Sequence, residues 1–215
     1  MPNAAVTTSQ LVLDHIAVAA ASLAEGIAHV EAALGVEMPV GGKHREMGTH
    51  NQLLRLGDGL YLEVITIDPD APPPARARWF ALDYFGSAPP RLATWIARTG
   101  DLGAALATAP KASGPPIQVS RGELTWHISV PEDGSMPFDG AYPTLIEWPL
   151  GPHLTSCMPD LGCSLEQLQI EHPDAEAIRG YIDPVFDDAR VDIETGPQVR
   201  LTVRIATPRG VCTLS

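Results

Sequence analysis

The pattern of apolar and polar residues alternates between a strand period and a helix period along the chain. Residues 11–18 form an apolar, β-branched run, which predicts a strand. Apolar residues then recur at the 3.6-residue spacing of a helix, at Leu23, Ile27, Val30 and Leu34. Two further apolar runs, 49–56 and 60–67, flank the turn sequence Gly57-Asp58-Gly59 and predict a β-hairpin.

The predicted helix has recognisable ends. Ser22 and Glu25 are spaced as a capping box, in which the serine caps the helix and the glutamate reaches back. Gly35 stands where a left-handed residue would end the helix. An extended piece at residues 36–40 then completes a βαβββ module over residues 10–67.

The same order of elements returns twice. The second round has a short helix capped by Asp101 and strands at residues 92–98, 117–120, 123–130 and 144–148. The third has a helix that opens near Pro173 and strands at residues 165–170, 191–195, 199–207 and 210–214. The chain is therefore predicted to be α+β, with modules 10–67 and 90–149 in one domain (10–150) and a third, partial module at 163–215.

Charge and cysteine content narrow the range of partners. The chain has 14 Lys and Arg against 26 Asp and Glu, a net charge of −12, which argues against nucleic acid and anionic membrane surfaces. The three cysteines, Cys157, Cys163 and Cys212, are too few for a disulfide scaffold. With no signal-like or membrane-spanning stretch in the sequence, we expect a cytoplasmic protein that binds a small molecule.

Several short motifs resemble one superfamily. The run Leu13-Asp-His-Ile-Ala-Val18 and the run 61–69, which contains Glu63, are similar to those of the vicinal oxygen chelate superfamily. Gly48-Thr-His-Asn51, residues 78–82 and residues 144–148 resemble its glyoxalase-like branch. The resemblance implies that two modules form a curved, cupped sheet with a divalent metal on its floor, and that cups are often completed by homodimers.

The resemblance also implies a ligand set. Its metal positions fall on His15, Glu63 and Glu147, and the fourth falls on Thr94 or Trp95, neither of which is a reasonable ligand. One imidazole and two carboxylates suit Zn, Mn, Fe or Ni. The alternative is that no metal binds and that Glu63 is simply the hydrogen-bond partner of His15.

Candidate substrate-binding residues depend on which strand face lines the cup. A two-residue turn at Asp58-Gly59 would place His50 on the face of Glu63, whereas a three-residue loop would place Asn51 and Arg55 there. The apolar pattern of residues 54, 56, 60, 62 and 64 favours the three-residue loop. Tyr61 shares the face of Glu63 by strand alternation.

Aromatic and histidine side chains complete the list of candidates. Trp79, Trp95 and Trp148 are candidate wall residues, and His127 is as consistent with a structural role as with a functional one. His44, His153 and His172 are expected at the surface, in a loop and at a helix start.

Two functional hypotheses follow. The first is a metal-dependent isomerase or lyase acting on a small molecule with vicinal oxygens, in which an open metal position would stabilise a developing oxyanion. The second is a metal-free protein of the same fold that binds or sequesters a small molecule.

Overall fold

A computed structural model describes residues 10–215. The larger of its two sheets has eight strands in the order β2-β3-β4-β1-β5-β8-β7-β6. These strands are β1 (Val12–Ala19), β2 (Lys43–His44), β3 (Thr49–Arg55), β4 (Tyr61–Ile67), β5 (Arg91–Arg98), β6 (Pro116–Arg121), β7 (Leu124–Ser129) and β8 (Thr144–Glu147). Helices α1 (Leu23–Leu34) and α2 (Leu102–Thr108) belong to the same part of the chain.

The second sheet has four strands in the order β10-β9-β11-β12. They are β9 (Ser164–His172), β10 (Val191–Thr195), β11 (Arg200–Thr207) and β12 (Gly210–Leu214), with helix α3 (Ala175–Ile182) between β9 and β10. The predicted α+β class with a curved, cupped sheet is confirmed. The extended piece expected at residues 36–40 is not a strand, because the edge strand β2 forms later, at Lys43–His44.

The eight-stranded sheet repeats one pairing pattern on both sides of its centre. Strand β1 runs parallel to β4, and β5 runs parallel to β8. The two first strands, β1 and β5, pair antiparallel in the middle of the sheet. Two modules therefore meet side by side with opposite strand directions, and the residues of β1 and β5 lie at the centre of the cup.

Helix α1 begins and ends where its sequence indicates. Ser22 Oγ accepts a hydrogen bond from the backbone N–H of Glu25 at 3.3 Å. Gly35 has a left-handed backbone with φ of 67°. Gly26 is buried in the helix, and a Cβ at this position would lie 2.5 Å from Val64 Cγ1 on β4. The missing side chain thus allows the helix to lie close to the convex side of the sheet.

Two apolar cores lie on opposite faces of the large sheet. The first contains Leu13, Ile16 and Val18 of β1 and continues into the second sheet through residues such as Leu168 and Val203. The second contains Ala17, Ile96, Trp126 and Ile146, and it fills the concave side. The second sheet therefore shares its core with the convex face of the large sheet and does not cover the concave face.

None of the helices in residues 10–215 is long and apolar enough to cross a membrane.

The close contact of α1 with β4 gives a stability prediction. Gly26→Ala is expected to destabilise the fold by about 1–3 kcal/mol, because the new methyl group forces the helix away from Val64. Gly103→Ala is the matched control, since a Cβ there approaches nothing closer than Asp101 Oδ1 at 3.5 Å. That variant should gain about 0.5–1 kcal/mol from helix propensity. Urea unfolding measures both, and equal stabilities for the two variants would contradict the packing argument.

Candidate functional site

A β-bulge places two consecutive polar side chains side by side. The pairing of β1 with β5 shifts register between Leu13 and His15, so that Asp14 is the extra residue. Asp14 Oδ1 lies 2.6 Å from His15 Nδ1. In a regular strand, alternation would place Leu13, His15 and Ala17 on one face. The bulge corrects this, because Leu13 packs in the convex core whereas Ala17 packs in the concave one.

Asp14 is fully buried and surrounded by donors. Its second oxygen, Oδ2, accepts a hydrogen bond from Trp148 Nε1 at 2.9 Å. Arg98 Nη1 and His153 Nε2 lie 3.4 and 3.1 Å from the same oxygen. Burial alone would raise the pKa of Asp14, but the hydrogen bonds from His15 and His153 outweigh it and hold the pKa well below its ordinary value. Asp14 is therefore an ionised carboxylate inside the protein.

His15 presents one ring nitrogen to the cup. Because ionised Asp14 can only accept, His15 Nδ1 donates to it and Nε2 is left facing the concave side. Nε2 lies 3.7 Å from Glu63 Oε2. The imidazole stacks on Tyr61, with ring centroids 4.4 Å apart and an interplanar angle of 12°. The ring is thus fixed in position and tautomer, with Nε2 available for proton transfer.

Glu63 is held from the other side by Asn51. Asn51 Nδ2 donates to Glu63 Oε1 at 2.5 Å, and Asn51 Oδ1 accepts from the backbone N–H of Gly42 at 2.9 Å. Strands β3 and β4 are joined across the three residues 57–59, with Leu56 N donating to Leu60 O at 2.9 Å. The prediction that a three-residue loop brings Asn51 to the face of Glu63 is confirmed.

His44 extends this polar group. The sequence indicated a surface position, but His44 is buried, with Nδ1 3.1 Å from Thr49 Oγ1 and Nε2 3.5 Å from Asn51 Nδ2. Burial, aided by the charge of Arg121, lowers the pKa of His44 to about 3. The imidazole is therefore neutral at ordinary pH. It accepts from Asn51 and holds the amide that orients Glu63.

His15, His44, Asn51 and Glu63 face a small space, which we call the chamber. Its volume is about 20 Å³, and its walls include Trp79, Phe80, Arg121, Trp126 and Trp148. A larger opening, which we call the groove, has a volume of about 640 Å³ and is lined by Leu53, Arg98, Leu124 and much of the segment 149–159. Arg121 and Trp148 line both spaces and therefore separate them.

The predicted three metal ligands do not converge. Glu147 Oε2 accepts a hydrogen bond from Leu102 N, at the start of α2, at 2.7 Å, whereas its neighbour Ile146 packs in the concave core and lines the chamber. This corrects the placement of Glu147, because strand alternation turns consecutive residues to opposite faces. Among residues 10–215, no three His, Cys, Asp or Glu side chains are arranged to hold a metal ion. Catalytic zinc takes three protein ligands, so His15 and Glu63 do not fit the predicted centre.

The structure separates the predicted substrate-binding residues into two groups. Asn51 and Tyr61 line the chamber. The other four lie elsewhere, and each has a local reason. His50 is on the opposite face of β3 from Asn51 because neighbours in a strand alternate. Trp95 is fully buried in the convex core, where its Nε1 donates to Ala141 O at 2.9 Å.

Two predicted positions are engaged outside the cup. Arg55 folds back onto its own hairpin loop, where it pairs with Asp58. His127 is exposed on β7 and stands directly across from Glu147 of β8, on the outer face. Neither residue lines the chamber or the groove.

Sequence reasoning missed several residues that build the site, chiefly Asp14, His44, Arg98, Arg121, Trp126 and His153. One signal was present for Asp14: two consecutive polar residues inside an apolar strand break the two-residue alternation, as a bulge does. The other residues come from separate segments, and no spacing in the sequence connects them to His15.

Comparison with known families identifies the chain. A family model described as a glyoxalase-like domain matches residues 13–186. The chain belongs to the glyoxalase-like domain family. The match of this glyoxalase-like domain includes β1, the whole concave site and the start of the second sheet. A search of curated protein sequences finds no significant match.

Two solved structures with TM-scores above 0.5 share the fold of this glyoxalase-like domain. A hypothetical protein from Staphylococcus aureus is 15% identical with a TM-score of 0.60, and the alignment covers 88% of each chain. A mutant 4-hydroxymandelate synthase from Streptomyces coelicolor is 15% identical with a TM-score of 0.52, covering 96% of this chain and 62% of that one. A methylmalonyl-CoA epimerase from Streptomyces coelicolor is 17% identical with a TM-score of 0.46, covering 67% and 99%. The resemblance to glyoxalase-like proteins is confirmed by the family match over residues 13–186.

Neutral, buried His44 gives a prediction for the pH dependence of stability. Below about pH 6.5 the unfolded chain protonates this residue, whereas the folded chain does so only near pH 3. The contribution of neutral His44 to the free energy of unfolding is therefore fully present above pH 6.5, and it is lost as the pH falls toward 3. Between pH 7.5 and 5, His44→Gln should lose about 2 kcal/mol less unfolding free energy than the wild type.

Urea unfolding at the two pH values measures this difference. His127→Gln is the control, because His127 is exposed and its removal should leave the pH dependence unchanged. A His44→Gln variant that loses as much stability as the wild type would show that His44 is protonated in the folded protein.

Proposed function

We propose that this protein is an enzyme of the isomerase or lyase type that moves a proton on a small, oxygen-rich substrate. His15 acts as the base, and Glu63 is the second proton-transfer group. One observation carries the proposal: His15 Nε2 faces Glu63 Oε2 at 3.7 Å while Nδ1 is bound by buried, ionised Asp14. A histidine fixed in one tautomer beside a carboxylate is the arrangement that general acid–base catalysis requires.

The proposed steps use only side chains of this chain. His15 Nε2 takes a proton from a carbon next to a carbonyl group, and the electron pair of the broken C–H bond moves to the carbonyl oxygen. Asp14 stabilises the resulting imidazolium. In an isomerase the imidazolium of His15 returns this proton to carbon, either directly or after passing it to the Glu63 carboxylate, and the electron pair on oxygen re-forms the carbonyl group. In a lyase the same electron pair expels a leaving group from the neighbouring carbon.

Tyr61 is suited to the charge that develops on the oxygen. Burial, together with the carboxylates of Asp14 and Glu63, holds the pKa of Tyr61 well above its ordinary value. The phenol is therefore neutral, keeps its proton and lines the chamber. A neutral O–H donor at this place can stabilise an enolate oxygen.

Substrate would reach His15 from the groove. The chamber, at about 20 Å³, is too small for more than a water-sized group, whereas the groove, at about 640 Å³, lies in the range of small-molecule sites. Arg121 and Trp148 stand between the two spaces, so the reacting end of a substrate enters past these two side chains.

A metal-free binding protein is the second candidate, and the size of the groove favours it. A ligand that occupies the groove alone would be held without reaching His15.

Three expectations from the sequence stay predictions. They are the homodimer implied by the superfamily resemblance, the cytoplasmic location and the divalent metal.

Deuterium exchange tests the enzyme proposal. The protein is incubated in D₂O with a panel of 2-hydroxy and 2-oxo carboxylates and matching neutral ketones, and loss of the proton next to the carbonyl group is followed by NMR. We expect exchange with at least one compound. His15→Gln and Glu63→Gln should slow it by about 10²–10⁴-fold, the usual range for removing a proton-transfer group. His127→Gln, changed on the outer face, should exchange at the wild-type rate.

Three results would redirect the proposal. Binding of a panel compound without exchange would support the binding protein instead. Exchange that His15→Gln leaves unchanged would remove His15 from the reaction. Exchange that is lost after dialysis against a chelator and restored by Zn²⁺ or Mn²⁺ would support a metal-dependent enzyme.

A further inference from the structure

Two donor groups at the chamber have no acceptor among residues 10–215. Trp79 Nε1 is buried without a hydrogen-bond partner, and the tryptophan is only 3% exposed. The Arg121 guanidinium forms no hydrogen bond or ion pair with another side chain or with the backbone of residues 10–215. Both side chains line the same chamber as His15 and Glu63. A buried donor normally has an acceptor in a folded protein, so the unpartnered indole of Trp79 points to a ligand, and the partly buried guanidinium of Arg121 supplies a charge beside it.

The isolation of Arg121 is unusual for this chain. Acidic residues outnumber basic ones by 26 to 14, and most of the partly buried arginines found partners, such as Arg78 with Asp83 and Arg98 with Asp14. Arg121 lies at the end of β6 and instead approaches neutral His44, whose pKa its charge helps to lower. A guanidinium beside a neutral imidazole, with no carboxylate bound to it, is suited to an anion from outside the chain.

The position of Arg121 depends on the absence of a side chain at Gly42. A Cβ at this position would lie 2.5 Å from Arg121 Cδ. Gly42 is also fixed, because its N–H donates to Asn51 Oδ1 at 2.9 Å and its carbonyl accepts from Asn51 N at 2.9 Å. The residue that orients Glu63 therefore also fixes the surface on which Arg121 lies.

Trp79 is held by a strained segment. Phe80 and Ala81 have positive φ values of 58° and 54°, which are uncommon for residues with side chains. Ala81 N donates to Gly134 O at 2.8 Å and holds this conformation. Trp79 stacks on Phe80, with centroids 5.5 Å apart, and meets His44 edge to face at 5.1 Å. Strain of this kind concentrates at functional sites, and here it positions the unpartnered indole.

We propose that the ligand of this site is a carboxylate with an apolar body. Its carboxylate is bound by the Arg121 guanidinium and the Trp79 indole N–H, and its body extends into the groove beside Leu124, Trp148 and Met158. A single planar charge suits this place better than phosphate, because a second negative charge would stand beside Glu63 and Asp14. The inference deepens the proposed function by naming its substrate class, and it rests on that function for the orientation toward His15.

Calorimetric titration with a matched pair of probes tests the inference. The probes are 2-hydroxy-3-phenylpropanoate and its amide, which differ in the charged group and share the apolar body. We expect wild-type protein to bind the carboxylate at least tenfold more tightly than the amide. Arg121→Met should abolish this preference, and Trp79→Phe should weaken carboxylate binding by about tenfold. Gly42→Ala should also reduce the preference, because it displaces Arg121 without removing its charge.

Arg204→Met is the control, since Arg204 is exposed on the second sheet and should leave binding unchanged. Equal binding of the two probes, no binding of either at millimolar concentration, or a preference that survives Arg121→Met would each overturn the inference. Carboxylate preference without deuterium exchange would retain the inference and reject the proposed enzyme. If the protein exchanges neutral ketones at the same rate with and without Arg121→Met, the proposed enzyme is supported and the carboxylate inference is rejected.

Discussion

The burial of one ionised carboxylate is the constraint on which the site depends. Asp14 loses all contact with water, which is costly for a charged group unless donors replace the hydration. Its donors come from four segments of the chain: His15 on β1, Arg98 on β5, Trp148 just after β8, and His153 in the connection between the sheets. Arg98 Nη1 also donates to Gly59 O at 2.7 Å. The carboxylate of Asp14 thus connects both modules to the segment 149–159, which lines the groove.

A second series of hydrogen-bonded side chains leads to His15 from the first module, residues 10–67. Thr49, His44, Asn51 and Glu63 follow one another at hydrogen-bond distance along β2, β3 and β4. Each member limits the state of the next, since neutral His44 accepts from Asn51 and Asn51 then donates to Glu63. The hydrogen bonds around Asp14 and this second series of side chains meet where His15 Nε2 faces Glu63 Oε2. Preorganisation of this kind orients both groups before a substrate arrives.

The second sheet stabilises the site without contributing to its chemistry. Its strands share the convex core, and Leu165 N donates to Leu56 O at 3.4 Å, next to the β3–β4 hairpin. The connection between the sheets carries Thr155, whose Oγ1 accepts from Gly59 N at 3.0 Å, and His153, which reaches Asp14. Anchoring β9 on the convex side therefore draws residues 149–159 across the mouth of the cup and creates the groove.

The periodicity and caps of the sequence by themselves determined the order of elements, the ends of α1 and which face of β3 turns toward Glu63. Local effects fix these features: apolar alternation over seven residues in β3 and β4, a serine cap, and a glycine that tolerates a left-handed backbone. Only the tertiary structure decided which face of β8 holds Glu147, because a four-residue strand followed by a loop carries too little alternation to show it. It also decided that Asp14 joins His15 through a bulge, and that His44 and Arg121 reach the chamber. Those placements depend on contacts between segments far apart in sequence, where burial and charge act only after the sheet has closed.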